Sequence, residues 1–411
     1  MFVYVIDKHG KPLMPTTPPR ARSLLKAGKA KVVRRDPFTI NLIYGSSGYK
    51  QEVVSGMDTG SKTVGCAAIA NGKVLYQAEV TVRSDVSRKM QQRAMYRRSR
   101  RSRKTRYRPG RRDNRAAMKM KGRLAPSITS KIESHLRERK FTESILPVSQ
   151  WKVELAAFDI HRIINPDVSG ARYQDGNQKG FYNVKSYVLN RDSYICQSGR
   201  QLKHDDKLHV HHIQFRSQGG SDAPSNLITL CERCHADLHS GEFSLKARRP
   251  KTKHPTQVGI IKSAILRSGW EFKPTYGYET KFKREQYLRW EKSHVADAVS
   301  IACDDGETAD PLDVVWRKRH VPKGDYQQTS GKRSEQSIPT GKLFGLRKFD
   351  LISVPKATGF IKGKRITGRF VLMNIDGKII ADTSIKKNAT RISARSTTMT
   401  ERRAFFVSAR T

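Results

Sequence analysis

Two sets of residues in this sequence have the types and spacing for phosphodiester chemistry. The first is His211-His212, Asn226 and His235, an HH–x13–N–x8–H pattern that encloses Gly219-Gly220 and Cys231-x2-Cys234. Neutral imidazoles can bind a divalent ion or take a proton from water, and both functions serve phosphodiester hydrolysis. The second is Asp58, Glu154 and Asp297, with His294 three positions before the last and on the same helix face. Each carboxylate interrupts an apolar run, where a charge is costly unless paired or metal-bound. Hydrolysis by two ions about 3.5–4 Å apart needs such a cluster, and Mg²⁺ prefers carboxylate oxygens and water. Simpler readings stand beside this one: Asp58 as a strand-end turn, Glu154 as a partner of a nearby arginine, Asp297 as a helix-face ion pair.

The elements that must position these residues can be read from local pattern. Glu52–Met57, Thr63–Ala70 and Lys73–Val82 read as strands, with Asn71-Gly72 as a hairpin turn. Asp58-Thr59-Gly60-Ser61 ends the first strand. Ile128–Phe141 reads as an amphipathic helix, Trp151–Phe158 as a buried strand carrying Glu154, and Gln257–Ser268 and His294–Ala302 as helices. Around the histidines, His209–Ile213 and Asn226–Leu230 read as strands and Cys231–His235 leads into a helix. His239 on that helix is either a surface residue or a third ligand. Cys231-x2-Cys234 is also half of a zinc ribbon. Near Cys196 the second cysteine is replaced by Gly199, so a structural zinc would need Cys196, Cys231, Cys234 and a histidine such as His204 or His209. At the start, Phe2–Asp7, Lys31–Arg35 and Phe38–Ile43 read as strands around a short helix, Arg20–Ala27. At the other end, strands at Phe349–Val354, Gly359–Ile361, Gly368–Met373 and Lys378–Ile380 follow a polar linker, Gly324–Thr340, and the last fifteen or so residues are expected to fray.

Charge narrows the partner. The 411 residues carry 80 Lys and Arg against 37 Asp and Glu, a net charge of +43. Spread over the chain, that excess suits nucleic acid rather than a small acidic ligand or a membrane surface. It peaks between Arg88 and Arg112, where 13 of 25 residues are basic and none is acidic. A helix is expected from about Ser87 to Tyr107, ended by Pro109-Gly110. Its like charges repel, so it needs a polyanion, and Arg93, Arg97, Arg98, Arg100, Arg101, Arg103, Lys104 and Arg106 are the expected phosphate contacts. A disordered basic tail is the alternative, but the run is internal and follows patterned strands. No run approaches the ~18 apolar residues of a membrane span. The five cysteines form no disulfide framework, and the first residues lack signal-peptide features. A cytoplasmic protein is expected.

The fragments SGMDTGSKTVGCAAI, KVELAAFDI and SHVADAVSIAC resemble the three split pieces of a RuvC-like nuclease of ribonuclease-H fold. The arginine run stands between the first two, as the bridge helix does in type II CRISPR effectors. KPLMP at Lys11–Pro15 is similar to the element named for it in the IscB family of transposon-encoded RNA-guided nucleases. The histidine set resembles the ββα-metal HNH nucleases. The resemblance implies an α/β multidomain chain: a PLMP domain at 1–50, RuvC pieces at 51–84, 123–170 and 250–320, a bridge helix at 85–122, an inserted HNH domain at 171–249, and a C-terminal β-rich domain at 321–411 that contacts RNA and a short target-flanking motif. It implies Asp58, Glu154, His294 and Asp297 as catalytic and metal-binding. It also implies His212 as general base, Asn226 as the residue orienting its loop, and His211 and His235 as metal ligands. Mg²⁺, with Mn²⁺ able to substitute, would support cutting, and any Zn²⁺ would be structural. The partners implied are an omega-type guide RNA and double-stranded target DNA, with the protein a monomer in a ribonucleoprotein. HNH would cut the guide-paired strand and RuvC the displaced strand. A guide-independent homing or transposon-associated endonuclease is the rival reading, and a catalytically silent RNA-binding scaffold a third.

Overall fold

A computed structural model describes residues 2–46, 48–102, 123–155, 184–215, 217, 224–245, 253–322, 342–355, 357–385 and 389–405. The chain divides into two compact units, one of 1–113, 125–158 and 264–411 and one of 114–124 and 159–263.

The first unit begins with β1 (Val3–Ile6), β2 (Pro12–Thr16), α1 (Pro18–Lys26), β3 (Ala30–Arg34) and β4 (Thr39–Leu42), in sheet order β2-β1-β4-β3. Pro18-Pro19 fall in the first turn of α1, where their missing N–H groups cost nothing. Next come β5 (Val54–Asp58), β6 (Thr63–Ala70) and β7 (Lys73–Thr81), an antiparallel meander. Asn71 and Gly72 join β6 to β7 with φ of 49° and 69°, the positive pair that a two-residue hairpin requires. The basic run then enters α2 (Val86–Ser102), which Asp85 anchors by pairing with Arg83 at 2.9 Å and with Lys89. Arg93 and Arg97 are exposed on it, whereas Arg103, Lys104 and Arg106 lie outside the described residues. α3 (Pro126–Glu143) and β8 (Gln150–Glu154) follow. The strand expected to reach Phe158 ends at Glu154, and positions 156–158 lie outside the described residues.

The second unit holds α4 (Val184–Arg191), β9 (Leu208–His212), a 3₁₀ turn (Pro224–Asn226), β10 (Leu227–Cys231) and α5 (Glu232–Ser240). β9 and β10 pair antiparallel with His211 opposite Ile228. Asn226, expected at the start of the second strand, sits in the turn before it. Asp192 fastens α4 to this hairpin by accepting Arg191 Nε at 2.8 Å and Thr229 N at 3.0 Å. Gly241, at φ 85°, ends α5. Helix α6 (Lys253–Leu266) leads out.

Returning to the first unit, β11 (Lys273–Thr275), α7 (Gly277–Phe282), a π-helical segment (Lys283–Leu288), α8 (His294–Ala302) and β12 (Val314–His320) precede β13 (Leu351–Val354), β14 (Ala357–Lys364), β15 (Arg369–Met373), β16 (Ile379–Ser384), β17 (Thr390–Ser393) and β18 (Thr398–Ala404). Seven strands form the central sheet, in order β11-β8-β5-β6-β7-β12-β18, and five form a second sheet, β16-β15-β14-β13-β17. β8 lies parallel to β5, and β11 parallel to β8. The described part of the tail expected to fray is instead β18, paired antiparallel with β12 from Thr398 to Ala404, and positions 406–411 lie outside the described residues. Its mixed sequence, TMTERRA, hides a strand whose exposed positions are mostly charged. Among the described residues no helix is long and apolar enough to cross a membrane.

The central sheet is covered on both faces. On one, Ala67 and Ile69 pack against Ala296, Ala298 and Val299 of α8. On the other, Cys66 touches Thr142 of α3, and a buried trio joins three elements: Lys318 Nζ donates to Glu138 at 2.8 and 3.0 Å, and Tyr76 Oη donates to the same carboxylate at 2.5 Å. Such a pair survives burial only when fully hydrogen-bonded.

Contact of α8 with the sheet is very close. A Cβ on Gly65 would stand 1.9 Å from His294 O, and one on Gly56 would stand 2.1 Å from Ala298 O. Both obstacles are backbone, so neither can swing aside. The helix is fixed at its ends as well. Ser293 Oγ accepts Ala296 N–H at 3.0 Å, and buried Lys152 of β8 donates to Ala302 O at 3.0 Å, placing a cation at the helix C-terminus. Gly65→Ala is therefore expected to cost about 3 kcal/mol or more through overpacking. Gly45→Ala, with nothing within 4 Å, should stay within about 0.5 kcal/mol of the parent. Chemical denaturation of the two variants checks this; equal midpoints would mean that α8 can shift away without loss.

Candidate functional sites

Three clusters of chemistry-bearing side chains stand out. In the first unit, Asp58 ends β5 and Glu154 ends the neighbouring parallel strand β8, with Met57 paired to Val153 just before them. Thr59 Oγ1 donates to the Glu154 carbonyl at 2.8 Å, tying the two strand ends together. His294 and Asp297 occupy the first turn of α8, one helical turn apart on one face. His294 Nδ1 lies 2.5 Å from Asp58 Oδ2. That hydrogen bond raises the His294 pKa despite its partial burial. Burial raises the Asp297 pKa, and Asp58 adds to it, against the opposing guanidinium of Arg284. Arg284 lies in the π-helical segment, buried at 6% exposure, and bonds Asp297 directly. Sequence reasoning missed Arg284, because an arginine in a charged run reads as solvated.

In the second unit, His211 of β9 faces His235 and His239 of α5. One ligand atom from each lies within 4.8 Å of the others, and the ring centroids of His235 and His239 are 4.6 Å apart. His239 thus joins the expected pair His211 and His235. The i,i+4 spacing of His235 and His239 is the signal that finds it. His211 is 4% exposed. Burial, with its three histidine neighbours adding to it, pushes its pKa down to about 4, and His235 is lowered for the same reason. Both imidazoles are therefore neutral near pH 7, the form that binds a cation. His212, adjacent to His211, projects from the other side of the strand. Asn226 closes the loop after β9 with two bonds to one residue: its Oδ1 accepts Gln214 N–H at 2.9 Å and its Nδ2 donates to Gln214 O at 3.0 Å.

The third cluster is Cys196, His204, Cys231 and Cys234, again with one ligand atom each within 4.8 Å. His204 supplies the fourth donor that Gly199 denies to a cysteine pair. His204 Nδ1 stands 3.6 Å from both Cys231 Sγ and Cys234 Sγ. A tetrahedral ion with Zn–S and Zn–N bonds of ordinary length separates such atoms by about 3.5 Å, so the donor set fits zinc. Cys231 also caps α5, accepting Cys234 N–H at 3.5 Å. Burial alone would raise the Cys231 thiol, but hydrogen bonds from the backbone N–H groups of Cys234 and Asp205, and from His204, outweigh this and lower it to about 6. Cys234, buried beside it, holds the proton more tightly.

Either Cys234→Ser or His204→Ala is expected to release about one equivalent of zinc per chain and to expose the second unit to protease. Cys66→Ala, which lies in the first unit, should keep its zinc. Elemental analysis of the three purified proteins decides the matter; full zinc in Cys234→Ser would rule out this cluster as the site.

Residues 3–176 match the model of the RRXRR protein family, and residues 195–241 match the HNH endonuclease family. Two curated proteins resemble parts of the chain. Anaredoxin of Nostoc sp. is 36% identical over 66 residues, which is 16% of this chain and 84% of that protein. The type IV methyl-directed restriction enzyme EcoKMcrA of Escherichia coli is 34% identical over 62 residues, 14% of this chain and 22% of that enzyme. The chain thus spans most of the first relative and about a fifth of the second. With RRXRR-family sequence and an HNH endonuclease domain carried in one mixed α/β chain, the protein belongs to the IscB type.

Proposed function

We propose that this protein is an RNA-guided double-stranded DNA endonuclease with two nuclease centres. Asp58, Glu154, His294 and Asp297 form a RuvC-like centre, and His211, His212, Asn226, His235 and His239 form the HNH centre. The observation that carries this reading is the meeting of Asp58 and His294, 236 positions apart in sequence, where two parallel strands of one sheet end. A sheet drawn from three separated segments, antiparallel in β5–β7 and parallel in β8 and β11, supports a ribonuclease-H-like domain built from pieces 51–84, 123–170 and 250–320. The HNH segment, 171–249, is then an insertion between the second and third pieces. The C-terminal sheet within 321–411 is assigned to RNA and the target-flanking motif.

Divalent metal bound at these centres would supply Lewis acidity and a more acidic water. Oxygen donors at Asp58, Glu154 and Asp297 suit Mg²⁺. The three imidazoles of the HNH centre are nitrogen donors, which suit a borderline transition-metal ion better than Mg²⁺. His212 takes the proton of the attacking water, and Asn226 holds the Gln214 loop so that His212 keeps its place. In the other centre Asp58 fixes the imidazole orientation of His294, and Arg284 holds the Asp297 carboxylate until an ion competes for it. Zinc at Cys196, His204, Cys231 and Cys234 is structural.

Guide RNA is inferred from charge. Beyond α2 itself, a cavity of about 420 Å³ in the first unit is lined by Arg83, Arg88, Lys89, Arg319, Lys348 and Lys362. This is a phosphate-binding surface continuous with the root of the arginine helix. The restriction enzyme that resembles part of this chain is methyl-directed, so the RNA requirement calls for a direct test: sequencing RNA that copurifies with the protein. One discrete species is expected. Random cellular fragments in its place would favour guide-independent cutting.

Two outcomes follow for the chemistry and the scaffold. On strand-labelled target DNA, Asp58→Ala should leave only guide-paired-strand cleavage, and His212→Ala only displaced-strand cleavage. If one substitution stopped both cuts while DNA binding survived, two independent centres would be ruled out. Replacing Arg97, Arg98, Arg100 and Arg101 by Gln keeps helix propensity nearly constant. It should lower the slope of log K for RNA against log salt by roughly two, at about 0.7 for each phosphate no longer neutralised and with some of the four on faces turned away from the RNA. RNA titrations across a salt series measure this, and an unchanged slope would mean that these side chains touch no phosphate.

A further inference from the structure

Beside Glu154 the chain places an aromatic pair that neither centre uses. β11 ends at Thr275, paired with Glu154 in the sheet, and Tyr276-Gly277-Tyr278 follows at once. A Cβ on Gly277 would stand 3.3 Å from Glu154 Oε1, so this turn lies directly against the carboxylate. The rings of Tyr276 and Tyr278 are near-parallel, 10° apart with centroids separated by 5.9 Å. Burial does not explain them, because Tyr276 is 40% and Tyr278 69% exposed. Their arrangement is nevertheless held. Tyr278 Oη donates to Glu279 Oε1 at 3.1 Å, and Glu279 Oε2 accepts the Tyr276 N–H at 3.2 Å. One carboxylate thus fixes both residues. Lys273 and Lys281, both exposed, bracket the pair in sequence.

A fixed, exposed, flat aromatic surface bracketed by cations is what unpaired nucleobases stack on. Duplex DNA keeps its base faces covered and cannot use it. We infer that Tyr276 and Tyr278 are a stacking platform for the bases of single-stranded DNA entering the centre that contains Glu154. The inference deepens the reading of Asp58, Glu154 and Asp297 as a nuclease centre and rests on it. Phosphates would be drawn by the lysines, while the rings hold the strand by its bases without choosing among sequences, since every base has a π-face. The platform would thereby set where along the strand the scissile phosphate meets the carboxylates.

The test uses the full chain carrying Asp58→Ala, so that bound DNA stays intact, and single-stranded oligonucleotides with 2-aminopurine at successive positions. Stacking on a tyrosine ring quenches that fluorophore. Quenching is expected at one or two adjacent positions. It should vanish in Tyr276→Ala/Tyr278→Ala together with about a tenfold loss of affinity. Because every phosphate partner is kept, the salt slope should not change. Tyr276→Phe/Tyr278→Phe keeps both rings and should keep both quenching and affinity, which separates stacking from any role of the phenol hydroxyls. Quenching that persists in the Ala protein would overturn the platform, as would its loss in the Phe protein. Quenching of an RNA oligonucleotide but not of DNA would overturn the occupant. The nuclease reading is judged separately, by strand-labelled cleavage with Asp58 intact and replaced. Failure there leaves the fluorescence result unaffected, so the two can be told apart.

Discussion

Backbone-to-backbone contact between α8 and the central sheet is the constraint on which the first unit depends. Gly65 and Gly56 remove two side chains, and the helix drops onto β5 and β6 until its carbonyls nearly touch the strands. That depth brings the imidazole of His294 to the carboxylate of Asp58. A helix riding on ordinary side chains would stand several ångströms higher, and the two groups would face each other across water. The glycines therefore set the approach of His294 to Asp58 without contributing a side-chain atom to the pair, while Ser293 and Lys152 fix where along its axis the helix stops.

The second unit solves a similar problem with metal donors. α5 carries Cys234 in its first turn, with Cys231 as its cap, and His235 and His239 further along. One short helix thus belongs to both the cysteine cluster and the histidine cluster. Its fully buried core is small, Ile228 and Leu230 with the two cysteines, and Leu202, Leu208, Leu238 and Phe243 pack against it only partly buried. With so small a core, bonds to an ion held by these donors would supply what packing cannot. Fixing the cysteine end of the helix also sets the direction in which the histidines point at His211.

Much of this was legible in the sequence because local and tertiary demands agree. Thr63–Ala70, the Asn71-Gly72 turn and His294–Ala302 fall where pattern and turn chemistry put them. What escaped, as β18 and Arg284 did, or stayed open, as His204 and His239 did, has physical reasons. β18 is an edge strand whose exposed positions tolerate charge, so TMTERRA carries no clean alternation. His204 is a loop residue, and spacing alone cannot say which loop histidine completes a cysteine set. His239 looks like any polar residue on a helix surface until the strand bearing His211 is laid against it. Arg284 is buried by a π-helical segment, a departure from α-helical phase that a periodicity argument cannot anticipate.

The place of β18 bears on how the protein is made. β12 pairs on one side with β7 and on the other with β18, whose residues emerge from the ribosome about eighty positions later. During synthesis, then, the central sheet stands with a bare edge while the whole five-stranded sheet is still being translated. Strands so distant in sequence pair slowly, and an unpaired edge invites other chains. Arg317 and Arg319 lie on that waiting strand, while Lys318 between them turns inward to Glu138. A nascent chain whose edge carries these two guanidinium groups would repel its own copies until β18 arrives to cover it.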